Sequence, residues 1–307
     1  MISSFFSKAK PIHFIIVCLI VLVVFLPSKL YALQEPFSLA LFIKQTALFC
    51  VALVTVFLLD FLGSRNNLTK KNSYKILIFS LFIALLPTTI LNTKILMANL
   101  FILLALRRIL SLRSNKEIKK KLFDAAIWIS IATLFYFWAI LFFLLVIFGI
   151  VLFRVIDVKN WIIPFVGVLT VVIIGASYEV LTGHDFINYF DDQVNLSFDF
   201  STLNSKRIIV ACTVILSYGI WSLLYFIRYL KAKSKKSRPS FILIIFTVLV
   251  ALLVVAVSPN KTGSEFLFLF GPLSIIITNY IETISEKWFK EALLAGLLAT
   301  PLILLLL

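Results

Sequence analysis

The stretch KILIFSLFIALLPTTILNTKILMANLFILLALR, which runs from Lys75 to Arg107, decides how this chain is organised. It is largely apolar, carries a positive charge at each end, and contains one polar cluster, PTTILNTK, at 87–94. A helix needs about 20 apolar residues to cross the bilayer core, so two crossings need roughly 40. Because only 31 residues separate Lys75 from Arg107, we expect a short helical hairpin whose tip at 87–94 stops below the outer membrane surface.

A second stretch is too short in the same way. Between Asp124 and Arg154 there are 29 residues, whereas the apolar interval 240–281 has 42 and accommodates two crossings. We therefore expect a second short hairpin with its tip, FYFWAI, at 135–140. Irregular backbone at membrane depth persists only where protein or a water-filled cavity satisfies its hydrogen bonds. Two short hairpins thus predict a cavity open to the outer side, although short, tilted spans without a cavity remain an open alternative.

Positive charge is sorted among the gaps between the apolar stretches. Every second gap is basic, and this set of gaps holds 23 of the 29 Lys and Arg residues. Cytoplasmic loops of membrane proteins carry the excess of Lys and Arg, so we expect about eleven spans with the N-terminus inside and the C-terminus outside. The candidate spans are 11–28, 38–62, 76–91, 95–110, 124–139, 140–153, 161–181, 207–229, 240–258, 265–281 and 290–307.

The composition predicts an all-α, polytopic transmembrane helix bundle that forms a single transmembrane domain over 1–307. Hydrophobic residues make up 62% of the chain and its mean hydropathy is +1.09, which excludes a water-soluble domain. Although the net charge is +15, the basic residues are dispersed over short loops, so we expect contacts with anionic lipid and no nucleic-acid partner. Within the basic loop, the S-x-x-E spacing of Ser114 and Glu117 predicts a capping box.

No sequence motif indicates a reaction or a cofactor. The chain lacks a Walker loop, a G-x-S-x-G elbow, an H-E-x-x-H helix and a G-x-G-x-x-G turn. Its two histidines exclude a multi-histidine iron or zinc centre. Cys18, Cys50 and Cys212 each lie within an apolar run, which is typical of buried cysteines without a disulfide. We therefore expect no metal and no cofactor.

Polar residues at the two tips and one intramembrane lysine are the candidate ligand-binding residues. Lys44 lies inside the second span near its outer end, and intramembrane charges are functional candidates. With Lys94 it would hold a phosphate or pyrophosphate of a lipid carrier. Alternatively, Lys44 extends to the interface while Asp60, at the inner end, meets Arg65. The predicted ligand-binding set is Lys44, Gln45, Thr88, Asn92, Lys94, Tyr136 and Trp138.

The outer loop from Leu181 to Lys206 is the longest and the only acidic one. Hard divalent cations bind such oxygen ligands, but solvated acids without a metal account for the same pattern. Alternating apolar residues at 194–200 are typical of an extended segment, which we expect to lie over the cavity mouth as a lid. The candidate residues near the start of this loop are Glu179, His184, Asp185, Asp191 and Asp192.

Three stretches resemble an uncharacterised family of Bacteroidota inner-membrane proteins. They are MISSFFSKAKPIHFIIV at 1–17, NLFILLALRRILSLRS at 99–114 and KKKLFDAAIWISIATLFYFWAILFF at 119–143. The resemblance covers most of the chain and implies a multi-pass protein of the bacterial inner membrane without an established activity. Some members carry the label beta-carotene monooxygenase. That activity does not fit this chain, because carotenoid oxygenases hold iron with four histidines.

The order of elements over 1–206 also resembles the membrane module of C-superfamily glycosyltransferases, with 207–307 as additional C-terminal helices. That resemblance implies a substrate of the polyprenyl-phosphate-linked sugar class. Those enzymes place a catalytic acid in the first outer loop, where PSKLYALQEPF offers only Glu35 as a candidate catalytic residue. The tip at 87–94 contains no acid, so the sequence leaves open whether the protein is an enzyme.

Three functions follow from these observations. The first is binding or handling of a lipid-linked glycan intermediate in cell-envelope assembly. The second is a non-catalytic role as a subunit or scaffold of a membrane complex, with another membrane protein as partner. The third is transport, which is less favoured because the sequence shows no inverted repeat and few buried charges for ion coupling.

Overall fold

The computed structural model describes residues 1–32, 38–155, 157–183, 194–259 and 261–306, and every regular element in these ranges is helical. This confirms the all-α class. A helix overlaps each of the candidate spans. The α-helices are α1 (Ile2–Phe6), α2 (Pro11–Ala32), α3 (Leu39–Arg65), α4 (Tyr74–Leu85), α5 (Thr88–Leu91), α6 (Thr93–Leu110), α7 (Ile118–Phe135), α8 (Phe143–Leu152), α9 (Lys159–Leu181), α10 (Lys206–Leu230), α11 (Arg238–Val257), α12 (Leu267–Thr283) and α13 (Lys287–Leu306).

Helix length and apolarity make this a multi-pass membrane protein. In the described part of the chain, seven helical segments are long and apolar enough to cross a membrane. The total of eleven crossings, the inward N-terminus and the inner membrane stay predictions. The seven segments are Pro11–Lys29, Leu39–Arg65, Thr93–Ser114, Lys159–Leu181, Lys206–Leu230, Arg238–Val257 and Ser264–Thr283.

The two hairpins that the sequence predicts each contain one short helix. Helix α4 has 12 residues and α8 has 10, which correspond to about 18 Å and about 15 Å of helix length. Both are well below the roughly 30 Å of a bilayer core. The segments are therefore as short as the charge pattern requires, while the depth of their tips in a membrane stays a prediction.

The helices form two compact units, each built from separate parts of the chain. The first contains Met1–Leu96, Phe200–Lys233 and Thr262–Leu307, and the second contains Met97–Asp199 and Ser234–Lys261. Chain order thus does not follow spatial grouping, because α10, α12 and α13 pack with the N-terminal helices. The module boundary at 206 rests on the resemblance to transferases and stays a prediction.

Helix α4 is the centre of the first unit. All of its residues except Ala84 are buried, and α2, α3, α12 and α13 pack against it. A helix that is apolar on every side is stable only when it is enclosed. Helix α12 is enclosed in the same way, since every residue from Leu267 to Ile281 is buried. These two helices form the core around which the longer helices are arranged.

A buried ion pair neutralises the one charge that α4 brings into this core. Lys75 is fully buried, and its Nζ lies 2.9 Å from Oδ1 of Asp60 on α3. Gly63 leaves room for the lysine, since a Cβ at that position would lie 2.8 Å from its Cδ atom. The expected contact of Asp60 with Arg65 is therefore wrong. Arg65 ends α3, whereas the first turn of α4 points Lys75 back at Asp60.

The Asp60–Lys75 pair gives a direct test of this core. We expect Asp60→Asn to leave the Lys75 ammonium buried without its counter-charge, at a cost of about 3 kcal/mol. The double variant Asp60→Asn/Lys75→Met removes both charges and should recover most of that loss. Thermal unfolding in a mild detergent measures the difference. A double variant that is as unstable as Asp60→Asn would contradict the pairing.

The second unit packs α7 against α9 and α8 against α11. Gly167 of α9 allows a close approach, because a Cβ there would lie 2.9 Å from Cβ of Ala126 on α7. The predicted capping box is wrong. Helix α7 begins at Ile118 without a side-chain cap, and Oγ of Ser114 donates to the carbonyl of Ser111 at 3.0 Å. The short helical turn at Ser111–Ser114 uses this hydroxyl locally.

Candidate functional site

A buried lysine contacts the one-turn helix α5, which forms the tip of the first hairpin. Lys29 is 8% exposed, and its Nζ donates to the carbonyl of Leu91 at 3.0 Å. Helix α2 continues past Pro27 to Ala32, beyond the predicted end at residue 28, and this extra turn carries Lys29 against α5. Among the described residues, no carboxylate forms an ion pair with Lys29. The site therefore holds a positive charge in a largely apolar setting.

A second cation, on α3, has an electrostatic effect on Lys29. The exposed Lys44 of α3 is near enough for its charge to act on Lys29. Two like charges repel, so an anion placed between them is favoured. Beside Lys44, Oε1 of Gln45 is buried and has no hydrogen-bond partner within the described part. The roles of Lys44 and Gln45 in ligand binding stay predictions, and Lys29 is a residue that the sequence prediction did not include.

The loop before α12 covers the other end of α5. Oγ of Ser264 donates to the carbonyl of Thr88 at 3.1 Å. Gly263 has a φ of +84°, and a Cβ there would lie 3.3 Å from Oγ1 of Thr88. That Thr88 hydroxyl is itself buried without a hydrogen-bond partner among the described residues. Thr88 is therefore held against this loop, with one buried polar atom that has no partner among the described residues.

This loop also brings a buried acid to the tip. Glu265 is 2% exposed, and its Oε1 accepts from the backbone and side chain of Thr262, both at 3.4 Å. Within the described ranges, no lysine or arginine forms an ion pair with it. The T-x-x-E spacing of Thr262 and Glu265 is a sequence signal for this arrangement. We call Lys29, Lys44, Thr88, Ser264 and Glu265 the α5 cluster.

Two further predicted tip residues, Asn92 and Lys94, lie at the start of α6. Asn92 caps α6, because its Oδ1 accepts from the backbone of Ile95 at 3.2 Å. Lys94 is exposed in the first turn of α6. Asn92 therefore shapes the tip through the backbone, and Lys94 is available to an approaching ligand.

Two predicted residues, Tyr136 and Trp138, belong to the second unit. The hydroxyl of Tyr136 donates to Oγ of Ser258 at 2.6 Å. Nε1 of Trp138 is buried without a hydrogen-bond partner in the part of the chain that the structure describes. A shared cavity between these residues and the α5 cluster stays a prediction.

The predicted loop acids are mostly outside the described residues, as is Glu35. Glu179 is described and lies half-buried in the last turns of α9. In the described ranges, no three His, Cys, Asp or Glu side chains lie close enough together to hold a metal ion. Of the predicted lid, 194–200 is non-helical, and Nζ of Lys261 donates to the carbonyl of Ser197. The residues outside the description are His184, Asp185, Asp191 and Asp192.

An apolar groove of about 450 Å³ runs along α2 in the same unit. Its lining extends from Ile16 to Ser28 on α2, and Pro87 lies at the end of the groove nearest α5. The remaining walls come from α4 and α13, including Pro301 and Leu302. Pockets of this size, apolar with a few polar groups at one end, are typical of binding sites for small molecules and lipids.

The sequence matches a family model along almost its whole length, over residues 1–306. The chain belongs to DUF6427, a family of unknown function. This confirms the predicted membership of an uncharacterised family. No curated protein and no solved structure matches the chain. The Bacteroidota origin and the likeness to C-superfamily glycosyltransferases stay predictions.

In this DUF6427 member, residues that line one end of the groove are next in the chain to residues of the α5 cluster, since Pro87 precedes Thr88. Ser28 lines the groove and precedes Lys29 in the chain. A cation at the end of an apolar channel matches an amphiphile with an anionic head and a long tail.

Gly263 tests the packing of the loop on Thr88. We expect Gly263→Ala to destabilise the protein by about 1–2 kcal/mol for its left-handed backbone, with a further loss from the contact at 3.3 Å. Gly183→Ala is the matched control, since Gly183 has a φ of +78° and nothing within 4 Å of the added Cβ. Thermal unfolding compares them. Equal losses in the two variants would show that the loop does not pack tightly on Thr88.

Proposed function

We propose that this inner-membrane protein binds a phosphate-bearing, long-chain lipid of the polyprenyl-phosphate class and handles its lipid-linked glycan during envelope assembly. The observation that supports this function is the buried Lys29, which follows Ser28, a residue that lines one end of the apolar groove. The family description carries no function, so the proposal depends on the chemistry of this site.

The cations provide the part of the site that recognises phosphate. A lysine ammonium has three N–H donors, and one donor of Lys29 is used by the carbonyl of Leu91. The other two donors suit phosphate oxygens, which form strong charge-assisted hydrogen bonds. A charged group inside the apolar region is costly without a partner. A bound phosphate supplies that partner, and Lys44 adds a second positive charge on the same side.

The groove provides the part that recognises the tail. It follows α2 from Ile16 to Ser28, a distance of about 18 Å along a helix. A saturated or polyprenyl chain lying there would replace contacts with bulk lipid by contacts with α2, α4 and α13. The tail then runs away from α5 along the groove, and the phosphate lies beside Lys29.

The proposal covers binding and assigns no catalytic residue. Glu265 is the acid of the α5 cluster, but its Oε1 accepts hydrogen bonds from Thr262. Glu35, the acid that the transferase resemblance implies, lies outside the described residues. Handling of the glycan therefore means holding the lipid carrier, with its sugar toward the α5 cluster.

Lys29 and Lys44 give the test of phosphate recognition. We expect Lys29→Met to weaken binding of undecaprenyl phosphate at least tenfold, because the methionine keeps the packing and removes the charge. Lys44→Met should have a smaller effect in the same direction, since this lysine is exposed. Native mass spectrometry of the purified protein with added lipid gives the bound fraction.

The matched control is Lys10→Met, which removes one exposed charge before the opposite end of α2. It should leave binding unchanged. Undecaprenol, which lacks the phosphate, should bind the wild type and Lys29→Met equally. If Lys29→Met and Lys10→Met retain the same amount of undecaprenyl phosphate, the proposed function is wrong.

Leu302 gives the test of the groove. It lines the groove on α13 and is 66% exposed, so Leu302→Trp fills part of the groove without disturbing the core. We expect weaker retention of undecaprenyl phosphate and of undecaprenol alike. Ile303→Trp is the control, at a neighbouring position that is 54% exposed and outside the groove lining. Equal retention by the two tryptophan variants would place the tail elsewhere.

A further inference from the structure

A strongly basic pocket of about 550 Å³ lies in the second unit, separate from the α5 cluster. Apolar residues from the end of α8 and Pro239 form part of its wall. No acidic side chain of the described residues lines it. Its polar lining consists of Arg113, Asn115, Arg154, Lys235 and Lys236.

Close packing of two elements builds one side of the pocket. Gly149 of α8 lies against α6, because a Cβ there would be 2.6 Å from Cγ2 of Ile109. This contact brings the end of α8 next to the helical turn Ser111–Ser114, which carries Arg113. The loop with Lys235 and Lys236 precedes α11, which packs on α8. The pocket is thus formed by elements with fixed positions within the unit.

Arg154 has an unusual backbone conformation at this pocket. Its φ is +54°, and it follows α8 as the left-handed residue of a Schellman motif. The backbone of Val155 donates to the carbonyl of Ile150 at 3.0 Å, and that of Arg154 donates to Val151 at 3.1 Å. Glycine is the usual residue at this position because it adopts a positive φ without strain. With an arginine at this position, the protein is less stable than it would be with a glycine.

A second Schellman motif in the chain has a more usual residue at its left-handed position. At the end of α3, the backbone of Leu68 donates to Gly63 and that of Asn67 donates to Ser64, at 2.9 and 3.3 Å. The left-handed residue is Asn67, with a φ of +52°, and asparagine tolerates this conformation better than arginine does. Strained residues cluster at functional sites, and the side chain of Arg154 faces the basic pocket.

The surroundings of the pocket are also positive. Arg108 forms an ion pair with Asp124 at 2.9 Å, and Nζ of Lys121 donates to the carbonyl of Ser111, on the same helical turn as Arg113, at 2.8 Å. The pKa of Lys121 is lowered, mainly by burial. The charge of Glu117 raises this pKa, whereas the charges of Arg108 and Lys116 lower it. A positive potential of this kind attracts multivalent anions.

We propose that this pocket binds a ligand with two phosphate groups, supplied by a soluble diphosphate or by the headgroup of an anionic lipid. Four converging cations match the charge of such a ligand better than that of a monoanion. The site lies in the loops that the charge rule assigns to the cytoplasm. It belongs to a different compact unit from the α5 cluster.

The key variant is Arg154→Gly, which removes a cation and relieves the backbone strain together. We expect its thermal stability to equal or exceed that of the wild type, while binding of inorganic pyrophosphate weakens at least tenfold. Lys235→Gln/Lys236→Gln should weaken binding in the same way. Calorimetric titration of the full-length protein in phosphatidylcholine nanodiscs, at about 0.15 M salt to screen long-range effects, measures this directly.

Two controls separate the pocket from general charge. Lys119→Gln/Lys120→Gln removes two exposed charges of α7 that do not line the pocket, and Asn67→Gly repeats the backbone change at the other Schellman motif. Both should bind pyrophosphate as the wild type does.

A parallel measurement distinguishes the sources of the phosphate. Native mass spectrometry with added cardiolipin shows whether a lipid with two phosphates is retained. If Arg154→Gly loses pyrophosphate binding, the natural ligand is a soluble diphosphate. If this variant loses only the retention of cardiolipin, the ligand is a lipid headgroup. If neither ligand binds the wild type, or Arg154→Gly behaves as Lys119→Gln/Lys120→Gln does, the proposal is overturned.

Discussion

The enclosure of α4 is the constraint on which the first unit depends. A helix of 12 residues is too short to cross a bilayer core that requires about 20, and it is apolar on every side. It is stable here because four longer helices cover it. Its single charge, on Lys75, is accommodated by Asp60. The core therefore combines apolar burial with one compensated ion pair. Loss of the apolar packing would uncover the Asp60–Lys75 pair, and loss of the pair would leave a charge in the apolar core.

The early end of α4 creates the candidate site. Because α4 stops at Leu85, the chain forms the one-turn helix α5 before α6 begins. The backbone groups of α5 need partners, and Lys29 and Ser264 supply them at its two ends. Polar groups thus collect where the short helix ends, while α2 keeps an apolar groove beside it. The proposed contacts with the phosphate and with the tail therefore both depend on the short length of α4.

Much of the fold could be predicted from sequence, because hydropathy and charge are local properties. Each candidate span contains a helix, and the lengths of α4 and α8 follow from the spacing of the basic residues. The site was predicted only in part. Lys44 and Thr88 were identified as polar residues in apolar surroundings. Lys29 was missed because its role depends on α2 continuing past Pro27 and packing on α5. The partner of Asp60 was wrong for the same reason, since tertiary packing selects Lys75.

Both proposed sites are built around lysine and arginine side chains. At α5 the charge is buried beside apolar surface, which suits a lipid phosphate, whereas at Arg154 it surrounds an open pocket, which suits a multivalent anion. The most direct test of the account is the membrane depth of α5. A spin label at Leu91, in a variant without the native cysteines, reports that depth by power saturation in nanodiscs. The account predicts a label below the outer headgroups, and a label level with the outer phosphates would contradict it.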